Sequence, residues 1–311
     1  MSERLPPEVE LLIEERAAAR AERDFGTADT LRERIRAMGW EVVDLPDGSS
    51  ARPSLPEAVG EAAYARPEDL ESLLDEPASV AASIHVLAEQ HGKDLERFLR
   101  GLAAHPPTAE WELVVVANAP TFGIAQLLHG VSLPVAPTVL ASAERLGWAD
   151  ARNLGLRRSR GEVTVLVDTS VEPIGDFVTP LLAAFDDASV GIAGAWGVTS
   201  ATGRAFEDAP PGEVDAIEGY CLAVRRDVLR AAGLFDHRFR FYRNADLDFS
   251  FQARAAGWRA VAVADLPLRR HEHRGYAALP PAERDRLSKR NFYRFLKHWG
   301  DRRDLLLHPE P

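Results

Sequence analysis

The sequence predicts an α/β protein: a doubly wound, mixed, mainly parallel sheet preceded by a small helical hairpin module. Two observations carry that reading. From about residue 79, short apolar runs alternate with stretches of helical spacing, the pattern of a parallel sheet wound by helices. Residues 7 to 39 show no such alternation, only two helical stretches with a break between them. A third observation points to where chemistry would sit. VTVLVDTS, residues 163–170, is an apolar strand that stops at Asp168. In open α/β sheets ligands bind outside the carboxyl ends of such strands.

In the hairpin, Val9, Leu12, Ile13 and Ala17 recur at helical spacing, as do Ala28, Leu31, Ile35 and Met38. Asp24-Phe25-Gly26-Thr27 separates the two helices, and Gly39 is a natural stop. WEVVDLPDGSS follows as a short extended arm. The expected organisation is a hairpin module at 1–48, a linker at 49–78 rich in Pro, Ala, Glu and Ser, and a main domain at 79–311. In the main domain SVAASIHVLA reads as a strand. KDLERFLRGLAAH then places Leu95, Phe98, Leu99 and Leu102 on one helical face. WELVVVANA, VTVLVDTS and VGIAGAW read as further strands, and SAERLGWADARNLGLRRS and DFVTPLLAAF as helices. The amphipathic helix AERDRLSKRNFYRFLKHWG ends the pattern, with Phe292, Phe295, Leu296 and Trp299 on one side.

Composition narrows the function classes. Acids outnumber bases 48 to 37, for a net charge of −11, so the overall field does not attract a phosphate backbone and argues against general nucleic-acid binding. The single cysteine, Cys221, excludes an intrachain disulfide and lies in EGYCLAVRR, which reads as a buried strand. MSERLPPEVELL lacks the apolar core of a signal peptide, and no run approaches the roughly 18 apolar residues of a membrane span. A soluble, cytoplasmic chain is expected.

Four stretches carry residues fit for chemistry, each with a bland alternative. Arg152 and Asn153 lie on the helix that feeds the Asp168 strand. A guanidinium matches phosphate oxygens in a fork, although a surface Arg and a helix-terminal Asn fit the pattern as well. Asn118 ends the second strand, placed for a ligand or for a turn. Asp246 and Asp248 open a helix, as caps for its dipole or as acids facing a cleft. His271 and His273 follow a strand, as metal ligands, phosphate donors or plain loop residues.

Taken in order, SIHVLAEQHGKDLERFLRGL, WELVVVANAP, ADARNLGLRRSRGEVTVLVDTS, EGYCLAVRRDVLRAAGLFDHRF and NADLDFSFQARAAGWRAVAVADLPLRRHEH resemble the family 2 glycosyltransferases, inverting enzymes of GT-A fold that use nucleotide sugars. The resemblance spans about residues 80–300. It implies that Glu89 and Asn118 contact the nucleoside and that Arg152 and Asn153 help hold the nucleotide. It implies Asp168 as the first acid of an Asp-x-Asp motif that binds the diphosphate through a divalent metal, Mg or Mn. His271 or His273 would approach that metal or the diphosphate, Asp246 aligns with the family's acid near the catalytic base, and Asp246 or Asp248 would remove the acceptor proton. The acceptor would be a hydroxyl. Ser170 stands where the second acid of Asp-x-Asp belongs, which weakens the implied metal site because hard cations favour several charged oxygens. Ala117 and Asn244 also replace acids common in the family.

IEERAAARAERDFGTADTLRERIRAMGWEVVDLPDG resembles the C-terminal tail of cysteinyl-tRNA synthetases, which lies in their anticodon-serving region. Residues 1–50 carry 12 acids against 7 bases, so a packing or interaction module is the expectation over an RNA-binding one. Three rival readings are retained: a non-catalytic nucleotide-sugar-binding module, an RNA-directed transferase using the hairpin, and an enzyme peripheral to a membrane. The last would dock through Lys289, Arg290, Arg294 and Lys297 beside the aromatics of the last helix.

Overall fold

A computed structural model describes residues 6–38, 40–45, 48–53 and 63–310. The Gly39 stop and residues 54–62 of the expected linker lie outside the described residues.

The N-terminal module pairs α1 (Pro7–Ala21) with α2 (Phe25–Ala37). Asp24 caps α2 by accepting from the Thr27 N–H at 3.1 Å, which satisfies one of the orphan donors of the first turn. Val9, Leu12, Ile13, Leu31 and Ile35 form its core with Trp40. An antiparallel hairpin of β1 (Trp40–Leu45) and β2 (Gly48–Pro53) follows.

The rest of the chain runs β3 (Ala63–Tyr64), β4 (Val80–Ala88), α3 (Gly92–Ala104), β5 (Trp111–Ala117), α4 (Ile124–His129), β6 (Thr138–Ser142), α5 (Trp148–Arg158), β7 (Gly161–Val167), β8 (Val171–Pro173), α6 (Val178–Ala183) and β9 (Val190–Gly194). It continues through β10 (Gly197–Thr199), β11 (Glu207–Ala209), β12 (Gly212–Val214), β13 (Ala216–Ile217), β14 (Cys221–Arg225), α7 (Arg226–Ala231), α8 (Ala245–Ala255), β15 (Arg259–Ala262), β16 (Leu268–Arg270), α9 (Arg274–Ala277) and α10 (Pro281–Trp299).

Nine strands form one sheet in the order β12-β15-β9-β14-β7-β4-β5-β6-β3. The pairs β7–β4, β4–β5, β5–β6, β6–β3 and β15–β9 are parallel. β14 is antiparallel to both its neighbours, and β12 to β15. The central strands are near-continuous apolar runs because helices cover both faces. Leu95, Phe98, Leu99 and Leu102 of α3 are buried on one face, and Ala149, Leu156, Phe249 and Ala253 of α5 and α8 on the other. Gly155 lets α5 press onto β4: a Cβ there would lie 2.2 Å from His85 Nε2.

Part of the stretch ahead of β4 is built onto this sheet. β3 extends its edge, and the Arg157 Nε donates to the Leu70 carbonyl at 3.0 Å. The buried Arg226 guanidinium donates to the carbonyls of Leu73, Leu74, Glu76, Ser159 and Gly161, which ties this stretch to α7 and β7. Such a fork satisfies carbonyls that burial would otherwise leave unpaired. Cys221 is fully buried in β14, and burial pushes its thiol up to about 12, so it is an inert core residue.

From β4 the chain winds outward through β5 and β6, then returns to place β7 on the other side of β4. That reversal makes a crevice at the carboxyl ends of β4 and β7. Glu89 follows one strand and Asp168 the other.

Candidate active site

Two adjoining lobes make up the crevice. The first is lined by Glu89, His91, Arg152, Asp168, Ser170 and Arg274 among others. Glu218, Gly219, Tyr220, Arg243 and Asp246 line the second. Trp148, Asp168, Tyr242 and His273 border both.

Asp168 sits where β7 ends. Its Oδ1 accepts from the Ser170 N–H at 2.8 Å and the Ser170 hydroxyl at 2.5 Å, and its Oδ2 faces His273 Nε2 at 3.3 Å. Burial pushes this carboxyl up, but the His273 and Ser170 contacts outweigh it and hold the group well below the usual carboxylate range. His273 responds in kind: burial lowers it, the hydrogen bond and charge of Asp168 raise it more, and the net shift is upward. The His273 Nδ1 accepts from the Tyr276 N–H at 3.1 Å, which leaves Nε2 as the protonated nitrogen toward Asp168. Tyr242 stacks on the His273 ring, centroids 4.5 Å apart and planes within 12°.

Arg152 lies beneath the first lobe, 1% exposed. It donates to the carbonyls of His85 and Val167, each at 3.2 Å, and its guanidinium lies 5.4 Å from the Trp148 ring centroid. Burial lowers it to about 10 against the attraction of Asp168 and Glu89, so it stays a cation beside both acids.

Asp246 borders the second lobe from the first turn of α8. Its Oδ2 accepts from the Gly219 N–H at 2.8 Å and its Oδ1 from the Leu247 N–H at 3.0 Å. Burial raises the Asp246 carboxyl despite those two donors and the nearby Arg243.

Several expected site residues stand elsewhere. Asp248 does not reach the crevice. It is 3% exposed and accepts from Trp299 Nε1 at 2.9 Å and His298 Nδ1 at 3.3 Å, so it anchors the end of α10. Helical geometry separates positions two apart by about 200°, which sends one acid to the crevice and the other to the core. Asn153 exchanges both amide bonds with the Phe235 backbone, at 2.8 and 3.0 Å, and pins that loop. Asn118 is fully buried: it donates to Glu89 Oε1 at 2.6 Å and exchanges bonds with the Leu146 backbone, so it orients Glu89. His271 turns to Glu172, at 2.7 Å, and borders neither lobe. Glu218, Tyr242 and Trp148 enter the site unannounced by the sequence. The strand run EGYCLAVRR and the aromatic pair in FYRN were the only signals for the first two.

Asp248→Ala removes the acceptor of the half-buried Trp299 indole N–H and is expected to cost about 1–3 kcal/mol of stability. Chemical denaturation of the variant, with nucleotide binding as the control, checks this.

Asp168 Oδ2 and His273 Nε2 contact each other directly at 3.3 Å. A divalent cation held by both would have to displace the Nε2 proton, so its binding would compete with protons at His273. Among the described residues, the one group of three acid or histidine donors close enough to share an ion is Asp236, Asp248 and His298. There Arg238 already bridges Asp236, at 2.9 Å, and His298, at 2.9 Å.

Comparison with known proteins bears on the fold. The family model of glycosyl transferase family 2 matches residues 83–213, and the structure has the GT-A fold. GalNAc-T7, solved with UDP, GalNAc and Mn2+, superimposes with a TM-score of 0.56 at 15% identity, covering 73% of this chain and 49% of its own. The mannosyltransferase PcManGT of Pyrobaculum calidifontis, solved with GDP-Man and Mn2+, gives 0.51 at 20% identity over 73% and 76%. At these identities the likeness is one of fold. Residues 2–48 match the cysteinyl-tRNA ligase anticodon binding domain. The cysteine–tRNA ligase of Methanosarcina acetivorans is 48% identical over 50 residues, 16% of this chain and 11% of the ligase, so the chain spans only about a tenth of that relative.

Proposed function

We propose that the protein transfers a sugar from a nucleotide sugar to an acceptor hydroxyl with inversion. The observation that carries this is the pairing, in one crevice, of an ionised Asp168–His273 couple with a separate acid, Asp246, whose carboxyl is raised. The first lobe takes the nucleoside diphosphate. Glu89, held by Asn118, faces the nucleoside, and Arg152 supplies fixed positive charge beneath the diphosphate. Asp168, joined by His273 once its Nε2 proton is displaced, would hold a divalent ion, which supplies charge stabilisation for the departing diphosphate. Asp246 accepts the acceptor hydroxyl proton. The oxygen then bonds to the anomeric carbon as the bond to the diphosphate breaks, and the diphosphate leaves with that electron pair.

A catalytically silent sugar-nucleotide binder is the second reading, favoured by Ser170, whose hydroxyl is committed to Asp168 in place of a second acid. Incubating the protein with radiolabelled UDP- and GDP-sugars, Mn2+ and a pool of glycan acceptors decides between them. Labelled product supports transfer, and tight donor binding without product or diphosphate release supports the silent reading.

We further propose that the hairpin is a separate interaction module and that peripheral membrane contact, if any, runs through α10. Among the described residues no helix is long and apolar enough to cross a membrane. A chain lacking residues 1–45 is expected to keep a single cooperative melt within a few degrees of the full chain. Insolubility or a broadened melt would make the hairpin part of the main core.

A further inference from the structure

The second lobe carries a cation that makes no close ion pair among the described residues, although its charge acts on Asp246 and Glu218. Arg243 borders it beside Asp246 and Glu218, yet among the described residues neither acid comes within ion-pair distance of the guanidinium. Glu218 is instead engaged by Arg270 at 3.1 Å. The Arg243 guanidinium stands 5.7 Å from the ring centroid of Tyr276. Arg284, from the first turns of α10, stands 5.2 Å from the same centroid and also lacks an ion pair among the described residues. Two guanidinium groups on one aromatic ring repel each other, and the ring offsets only part of that cost.

Their placement is fixed. The buried Asn291 of α10 donates to the carbonyls of Phe241 at 2.6 Å and Arg243 at 2.9 Å, and Asn244 donates to the Ser288 carbonyl at 3.2 Å. The segment that carries Arg243 and Asp246 is thus bolted to the helix that carries Arg284. Arg284 shares its side of α10 with Ser288 and Asn291, so the two guanidinium groups form a small basic lip here on a chain of net charge −11.

We propose that Arg243 and Arg284, across Tyr276, bind a phosphate group of the acceptor, so that the acceptor class is a phosphate-bearing glycan rather than a neutral sugar. The inference rests on the glycosyltransferase reading for the word acceptor, while the anion site stands on its own geometry. Guanidinium forks match phosphate oxygens, and such charge-assisted bonds are about twice as strong as neutral ones. A phosphate held at the lip would set the attached hydroxyl beside Asp246 and relieve the repulsion between the two guanidinium groups.

The test uses the full chain with UDP and GDP added to fill the first lobe. Saturation-transfer NMR compares methyl glucoside 6-phosphate with methyl glucoside on wild type and on R243Q/R284Q. Wild type is expected to favour the phosphorylated glycoside by about tenfold, and the double variant to lose most of that preference. Its melt and its affinity for UDP and GDP should stay near wild type. Equal response to the two glycosides, or a preference that survives in R243Q/R284Q, overturns the proposal. A second arm pellets the protein with phosphatidylglycerol vesicles against phosphatidylcholine vesicles. Arginine-dependent binding to the former without any preference among the glycosides assigns the lip to a lipid headgroup and overturns the glycan class. An arginine-dependent phosphate preference in a protein that binds neither nucleotide keeps the anion site and removes the glycosyltransferase reading.

Discussion

Asp246→Asn is expected to lower sugar transfer by about 10² to 10⁴, the usual weight of a lost general base, while folding and nucleotide binding stay near wild type. The side chain lies in the second lobe, and its amide oxygen can still accept from one of the N–H groups of Gly219 and Leu247, so the variant loses a single backbone contact. Because burial raises this carboxyl, the rate in wild type should climb with pH on the acid limb, with a midpoint above that of an ordinary aspartate. The base must be ionised to work, so protonation below that midpoint removes activity. Steady-state rates across pH, with donor affinity measured alongside, check both parts. Equal turnover in wild type and Asp246→Asn would pass the role to Glu218, whose carboxyl is also raised by burial in the same lobe.

Asp168→Asn is expected to abolish the Mn2+ dependence of nucleotide binding and to weaken that binding by at least tenfold. The amide cannot supply the charge that a hard cation favours. It also leaves the His273 Nε2 without its carboxylate, so His273 should lose the upward shift that Asp168 gives it. Calorimetry with and without Mn2+ measures the first effect, and NMR titration of the imidazole measures the second. If nucleotide binds the variant as wild type does, Asp168 is not part of the donor site. Arg152 is the harder residue to interrogate, because it also holds the His85 and Val167 carbonyls and its removal would disturb β4 and β7 together.

Some of this site can be read directly from the residues. An apolar strand that stops at an acid fixes where Asp168 falls, since strand ends and ligand sites coincide in this architecture. Two acids two positions apart in a helix cannot share a target, so the divergence of Asp246 and Asp248 follows from helical geometry alone. What escapes is everything that depends on long-range partners. Asn118 and Asn153 look like ligand contacts until their amides meet the backbones of Leu146 and Phe235, 28 and 82 residues away. His271 and His273 look equivalent, but the pairing of β16 with β8 brings Glu172 to His271 and leaves only His273 for Asp168. Glu218 and Tyr242 come from segments whose pattern speaks only of strand and loop. The stretch before β4 has linker composition, yet Arg157 and Arg226 hold residues 70–76 to the sheet through carbonyls that any sequence would offer.

The central claim is that the crevice between β4 and β7 takes a nucleotide sugar. Isothermal titration of the full chain with UDP, GDP, CDP and their common sugar conjugates, each with and without Mn2+, tests it most directly. The predicted result is saturable one-to-one binding of at least one nucleotide, strengthened by Mn2+ and weakened in Asp168→Asn. No binding of any nucleotide under either condition, by a protein with a cooperative melt, would contradict the account.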